Sequence, residues 1–309
     1  MFAAVISSLL PVMLMILLGT ALRAARFLPE SCFNGLNKLA FWVGLPCMLY
    51  LDITGAPASG LEPLRISAAV LGGSLMAGLC AWLVAIPQRL PLPTLRAFVQ
   101  GAFRGNLAYV GIPVVYFVLE GRPEARAVAV LSLAPTIPVF NVACVLLLLD
   151  AGGGHWTRRL GRTLLEIARN PLIVACLLGL LARHLSFELP DALQRTVKGL
   201  SGLGLPAALL ALGASLTPSR VKGQGSLACR AAFFKVAISP LIGYTIGRAL
   251  GLEGDYLLIA VLLSATPTAV ASFVMADQMG ADRDLAAAIV VVSTLLAFPA
   301  LATVMLLMH

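Results

Sequence analysis

The sequence predicts an all-α membrane protein of ten transmembrane helices, arranged as two inverted five-helix repeats with helices four and nine broken, and crossing if their breaks meet. Three observations carry this expectation. Of the 309 residues, 60% are hydrophobic and only 12% are Asp, Glu, Lys or Arg, whereas soluble domains carry roughly 25% charged residues. Apolar runs of about 20 residues recur along the whole length, each able to span a hydrocarbon core of about 30 Å. Proline-containing triplets recur at matching places in the two halves. Lipid cannot satisfy backbone groups, so spanning segments must be helices or a closed barrel. Barrel strands would alternate polar and apolar residues, and the runs Val142–Leu149 and Ala286–Val292 do not.

Taken in order, the first segment is Phe2–Leu22. It starts hydrophobic, without a basic leader or a small-residue cleavage site, and so reads as a span rather than a removed signal peptide. The second, Ser31–Ile53, holds Gly44-Leu45-Pro46 in mid-span, and the third is Leu64–Ile86. The fourth, Leu95–Leu119, carries Gly111-Ile112-Pro113; the fifth, Ala125–Leu149, contains Pro135, Pro138 and Asn141. A basic stretch from Asp150 to Asn170 follows, with Arg158, Arg159, Arg162 and Arg169. The sixth, Pro171–Leu185, is short unless its helix begins back near Leu164. The seventh, Ala192–Leu216, repeats the first triplet as Gly204-Leu205-Pro206. After the eighth, Leu227–Leu250, the ninth, Tyr256–Met279, carries Ala265-Thr266-Pro267, and the tenth is Leu285–Met308. Residues 1–150 then form the first repeat, 151–170 a cytoplasmic loop and 171–309 the second repeat. Five spans per half is an odd number, so the second half must insert upside down, a transporter design when the helices are interrupted.

The net charge of +8 fits membrane orientation better than nucleic-acid binding, because the basic residues sit mostly in short loops. With the N-terminus outside, the cytoplasmic side holds Arg23, Arg26, Lys38, Arg89, Arg96, the four loop arginines, Arg220, Lys222, Arg230 and Arg283. The outer side holds Arg65, Arg122, Arg126, Arg183, Arg195, Lys198 and Arg248, thirteen against seven. Both termini would lie outside. The six cysteines show no metal-ligand spacing and read as small buried side chains. His155, His184 and His309 fall in loops or at the terminus, and no metal or cofactor is expected.

A mid-helix proline removes a backbone hydrogen bond and clashes with the preceding turn. Pro46 and Pro206 are therefore expected as helix breaks in the second and seventh segments, and Pro113 and Pro267 in the fourth and ninth. Two half-helix N-termini meeting near the midplane would offer partial positive charge and unpaired N–H groups to an anion. Asn106, Gly111, Pro113, Thr266, Pro267 and Thr268 are the candidate binding residues, with Ser264 beside them. The hydroxyls have an alternative, bonding to a carbonyl one turn back. Lys235, several residues inside the eighth segment, is a candidate counter-charge, as is Arg104; the alternative for each is snorkelling to an interface. Asn141 is open to a contact between helices, and Asp277 to an interfacial cap.

Five stretches resemble the auxin efflux carrier family, which includes plant auxin exporters and bacterial transporters of malate-like and malonate-like acids. They are Asn37-Lys38-Leu39 leading to Leu45-Pro46; Arg104-Gly105-Asn106 leading to Gly111-Ile112-Pro113; Asn170-Pro171; Leu212-Gly213-Ala214-Ser215-Leu216; and Ala265-Thr266-Pro267-Thr268 leading to Phe273-Val274-Met275-Ala276. The resemblance implies ten helices in two inverted repeats, a scaffold and a transport domain, and a substrate site where helices four and nine cross. It also implies elevator-type movement and a homodimer formed through the scaffold. Plant members have a long central loop and a serine three residues after the second-helix proline. This chain has a short loop and Leu49 there, which points to the bacterial-type branch. The expected activity is carriage of small organic anions such as carboxylates, in the direction of efflux, in the inner membrane. The alternatives are an anion-selective channel or a sodium-coupled organic anion symporter of the same superfold. A membrane enzyme is disfavoured: no His-Glu-x-x-His stretch occurs, and no histidine lies within a span to serve a serine nucleophile.

Overall fold

The computed structural model describes residues 2–55, 60–148, 161, 165, 168–216, 221 and 223–308. Among them all regular structure is helical and no strand forms. The helices are α1 (Phe2–Ala24), α2 (Glu30–Gly55), α3 (Glu62–Ala85), α4 (Leu92–Phe103), α5 (Leu107–Val118), α6 (Pro123–Leu148), α7 (Pro171–His184), α8 (Asp191–Ser215), α9 (Gly225–Ala249), α10 (Gly254–Ser264), α11 (Ala271–Gln278) and α12 (Arg283–Met308). Among the described residues, seven helices are long and apolar enough to cross a membrane: α1, α2, α3, α6, α8, α9 and α12. Three shorter apolar helices are α5, α7 and α10. The chain is a multi-pass membrane protein. Large apolar side chains such as Leu10, Leu14 and Leu17 on α1 and Leu177, Leu178 and Leu181 on α7 face outward, which water would penalise and lipid does not.

The fourth and ninth predicted segments are not continuous helices. Each is two helices joined by a non-helical stretch: α4 and α5 around Arg104–Asn106, α10 and α11 around Ala265–Val270. The break expected at Pro113 therefore lies seven residues earlier, at Asn106, and Pro113 sits in the first turn of regular helix that follows. Its missing N–H and its ring are accommodated instead by a wide turn, Leu107–Gly111, in which Gly111 N donates to Asn106 O (3.0 Å). Ala40–Gly44 before Pro46 and Phe234–Ile238 before Pro240 are the same device. In all three, five residues of wide helix end two positions before proline, so the bond that proline cannot make is skipped by a local shift to i−5 bonding. Pro46 thus widens α2 without breaking it. Pro206 follows a turn at Gly202 and Leu203 within α8.

α1 packs along α8, α7 along α2, and α3 along α9. Close backbone approach marks the contacts between helices. A Cβ on Gly44 would lie 2.6 Å from Gly204 Cα, and one on Gly19 or Gly213 would collide with the carbonyl of Leu210 or Ile16. Small residues allow this packing, and dispersion replaces a hydrophobic drive that lipid cannot provide. The expected 151–170 loop with Arg158, Arg159 and Arg162 lies largely outside the described residues, as do Arg220, Lys222, His155 and His309.

Candidate functional site

The two breaks lie against each other and satisfy one another's backbone. Asn106 N donates to Pro267 O (2.7 Å), Ala269 N donates to Arg104 O (3.0 Å), and Gly105 pairs antiparallel with Thr268. Each unpaired amide or carbonyl at membrane depth would cost several kcal/mol, so the reciprocal pair makes two interruptions tolerable together. Glycine at 105 permits the contact, since a Cβ there would stand 2.7 Å from Thr266 Oγ1. Gly111 does the same for the packing of α5 on α10: its Cβ would meet Leu263 Cδ2 at 2.9 Å.

A cavity of about 630 Å³ opens beside the paired breaks. Its walls come from Arg104–Tyr109, from α6 (Ile137, Phe140, Asn141), from Asn170 before α7, from Ala269–Ala271, and from α11 (Val274, Met275, Gln278). Phe41 of α2 stacks on Tyr109 with ring centroids 6.3 Å apart and closes one side. Arg104 is the one charged lining residue among the described residues. It is 8% exposed; its guanidinium donates to Asn141 Oδ1 (2.7 Å) and reaches the sulfur of Met275. Asn106 caps α5 by accepting from Tyr109 N (3.3 Å), and its buried Nδ2 has no partner. The first residues of α5 and of α11 both line the cavity, and first-turn amides lack intrahelical acceptors. The arrangement suits a small anion: one guanidinium, one unused amide donor, two helix N-termini and no carboxylate.

The other sequence candidates gather at the breaks but behind this cavity. Thr266 Oγ1 donates to Leu263 O (2.7 Å), Thr268 Oγ1 to Gly101 O (2.7 Å), and Ser264 Oγ to Ala260 O (2.7 Å). These hydroxyls complete broken backbone, as the bonding preference of such residues allows. Pro267 supplies the carbonyl that Asn106 N uses; neither it, Pro113 nor Gly111 lines the cavity. Lys235 is fully buried and donates to Ser264 O (2.5 Å), so it neither snorkels nor faces the cavity. Asp277 pairs with Arg283 (3.4 Å) at a half-exposed position. Sequence reasoning left Arg104 undecided and missed Phe41, Tyr109 and Met275, which carry no polar signal that separates them from ordinary core.

Two turns further along α5, Tyr116 lines a second cavity of about 530 Å³ with Met15, Met48, Asp52, Lys198 and Pro206. The buried Asp52 Oδ2 and Tyr116 hydroxyl have no partner.

Residues 4–305 match the family model described as membrane transport protein. The chain belongs to the auxin efflux carrier family. It is 27% identical over 279 residues to a candidate malonate transporter of Rhizobium meliloti, covering 87% of this chain and 84% of that protein. It is 25% identical to an uncharacterized transporter of Methanothermobacter thermautotrophicus, over 95% of both chains. Auxin efflux carrier component 4 of Arabidopsis thaliana is 29% identical over 140 residues, 43% of this chain and 23% of that protein. This family member is a membrane transporter and not an enzyme.

Proposed function

We propose that the protein is a secondary carrier of small organic anions, carboxylates above all, that exports them across the inner membrane by elevator-type alternating access. The observation that carries the reading is the cavity at the paired breaks, where Arg104 and the unused Asn106 Nδ2 stand without a carboxylate. A buried cation and an unpaired donor are costly unless a ligand answers them. The relative named for malonate is consistent with such a ligand.

We read the architecture as ten spans in two inverted halves, counting α4–α5 and α10–α11 as one broken span each. The packing supports this, because exchanging the halves maps α1 on α8 onto α7 on α2 and leaves α3 on α9 unchanged. The details agree: Arg126 stacks over Tyr116 at 5.0 Å, and Arg283 over Phe273 at 5.1 Å. Asp255 at the start of α10 pairs with Arg122, while Thr94 at the start of α4 donates to Asp282 Oδ2 (3.0 Å). In this reading α1, α2, α7 and α8 form a scaffold that pairs with a second copy, and the broken helices move against it. The site then opens alternately toward the first cavity and toward the one beside Asp52. Both termini lie outside.

Thermal unfolding of the purified protein against acetate, lactate, malonate, succinate and malate tests the site, since a ligand of the folded state raises its stability. At least one acid should raise the unfolding temperature, and Asn106→Ala should abolish the shift while the protein stays folded. An undiminished shift in that variant removes Asn106 from the site.

A further inference from the structure

Lys235 is completely buried, yet the anion cavity does not use it. It stands in the wide turn Phe234–Ile238 of α9, whose shape follows from Pro240. Its ammonium donates to Ser264 O at 2.5 Å, the last carbonyl of α10. A helix end leaves its final carbonyls unpaired and carries partial negative charge. This end lies inside the protein at a break. In carriers built from discontinuous helices, half-helix C-termini and unwound carbonyls are where coupling cations bind.

Here the lysine stem fills that place. Gly105 packs against it so closely that a Cβ would lie 3.3 Å from Lys235 Cε. The corresponding end of α4 is closed by neutral groups, with Gly101 O accepting from Thr268 Oγ1 and Arg104 O from Ala269 N. No cluster of three or more His, Cys, Asp or Glu that could hold a metal ion occurs among the described residues. Their buried charged side chains are Arg104 and Lys235, both cationic.

We propose that the Lys235 ammonium is a tethered cation, which holds the end of α10 in place of an exchangeable inorganic ion. It acts as a positioning residue: it fixes Ser264 and, through Gly105, the paired breaks, while the transported anion is held on the other side by Arg104 and Asn106. Anion movement is then independent of sodium and potassium. The inference rests on the anion-carrier reading.

Proteoliposomes separate the two. Counterflow of radiolabelled malonate and succinate is measured in sodium, potassium and N-methylglucamine buffers for the wild type, Lys235→Ala and Lys235→Met. The wild type should exchange equally in all three buffers. Lys235→Ala should lose about tenfold or more, because the last carbonyl of α10 is left buried without its donor at the break, and should recover partly with added ethylammonium or sodium. Lys235→Met fills the volume without the charge and should stay slow under every condition. Both variants should keep the wild-type thermal shift with the acid, because the cavity is intact. The proposal is overturned if Lys235→Met exchanges like the wild type, if no added cation revives Lys235→Ala, or if wild-type exchange requires sodium. Should Lys235→Ala fail to fold, the Met variant and the wild-type buffers decide. Absence of counterflow by the wild type in every buffer overturns the carrier reading itself, whereas sodium-dependent counterflow overturns only the tethered cation.

Discussion

Asn106 uses one peptide unit and both side-chain polar atoms. Its N–H donates to Pro267 O, its Oδ1 caps α5, and its buried Nδ2 has no partner, which is where the anion-carrier proposal puts a ligand. Loss of the cap alone should lower stability by about 1 kcal/mol, measurable as a small fall in unfolding temperature, far less than the loss of ligand response. In the anion-carrier proposal Arg104 supplies the charge. Arg104→Gln should weaken carboxylate binding by about tenfold to a hundredfold, since a charge-assisted contact is replaced by a neutral one. Titration calorimetry with the acid that shifts unfolding checks this, and unchanged affinity would place the counter-charge elsewhere. The sequence marked Asn106 because a side-chain amide within a span needs a partner. It left Arg104 undecided because snorkelling and counter-charge look alike without a fold. The threonines were legible as break residues, with bonding to a carbonyl one turn back as their open alternative; Thr266 makes that bond to Leu263 O, whereas Thr268 reaches Gly101 O on the other broken segment, a partner that only the fold supplies.

At the scale of elements, proline position is the signal that both guided and misled. Pro267 marks its break directly, because Ala265–Val270 unwinds around it. Pro113 does not: a wide turn absorbs it, and the chain unwinds at Arg104-Gly105-Asn106 instead. Gly105 and the capping Asn106 mark that break locally, and the second break opposite supplies the backbone partners that make it tolerable. Gly105→Ala is the direct probe of that contact. Its Cβ would press on Thr266 Oγ1 and Lys235 Cε, so stability should fall by about 1–3 kcal/mol, the range for overpacking. Thermal unfolding of the unliganded protein reads this; an unchanged value would mean that the breaks are not tightly paired. Pro240 sets the wide turn of α9 in the same manner as Pro46 and Pro113 set theirs. Pro240→Ala returns an N–H and should regularise the helix, slowing amide exchange over residues 234–240. Exchange that stays as fast would assign the wide turn to other packing.

For the whole molecule, the helical class and most segment limits were legible from hydropathy alone, because lipid demands long apolar helices. The division of two segments into half-helices was less legible, since an interrupted span has the same composition as a continuous one. The repeat was read from two proline triplets, and the glycines of one of them, Gly44 and Gly204, face each other at a close backbone approach, where a Cβ on Gly44 would stand 2.6 Å from Gly204 Cα. The surface pairs Arg122–Asp255 and Thr94–Asp282 lie where the broken helices begin. Exposed pairs contribute little, roughly 0–1 kcal/mol, so Asp255→Asn should barely change unfolding but should alter exchange rate if the broken helices move as a unit.

The most direct test of the central claim is counterflow in proteoliposomes loaded with unlabelled carboxylate, following entry of the labelled acid. An anion site alternately open to either side predicts saturable uptake that overshoots equilibrium and is abolished by Asn106→Ala. Flux that rises linearly with concentration, without overshoot, would contradict a carrier and leave an open pore in its place.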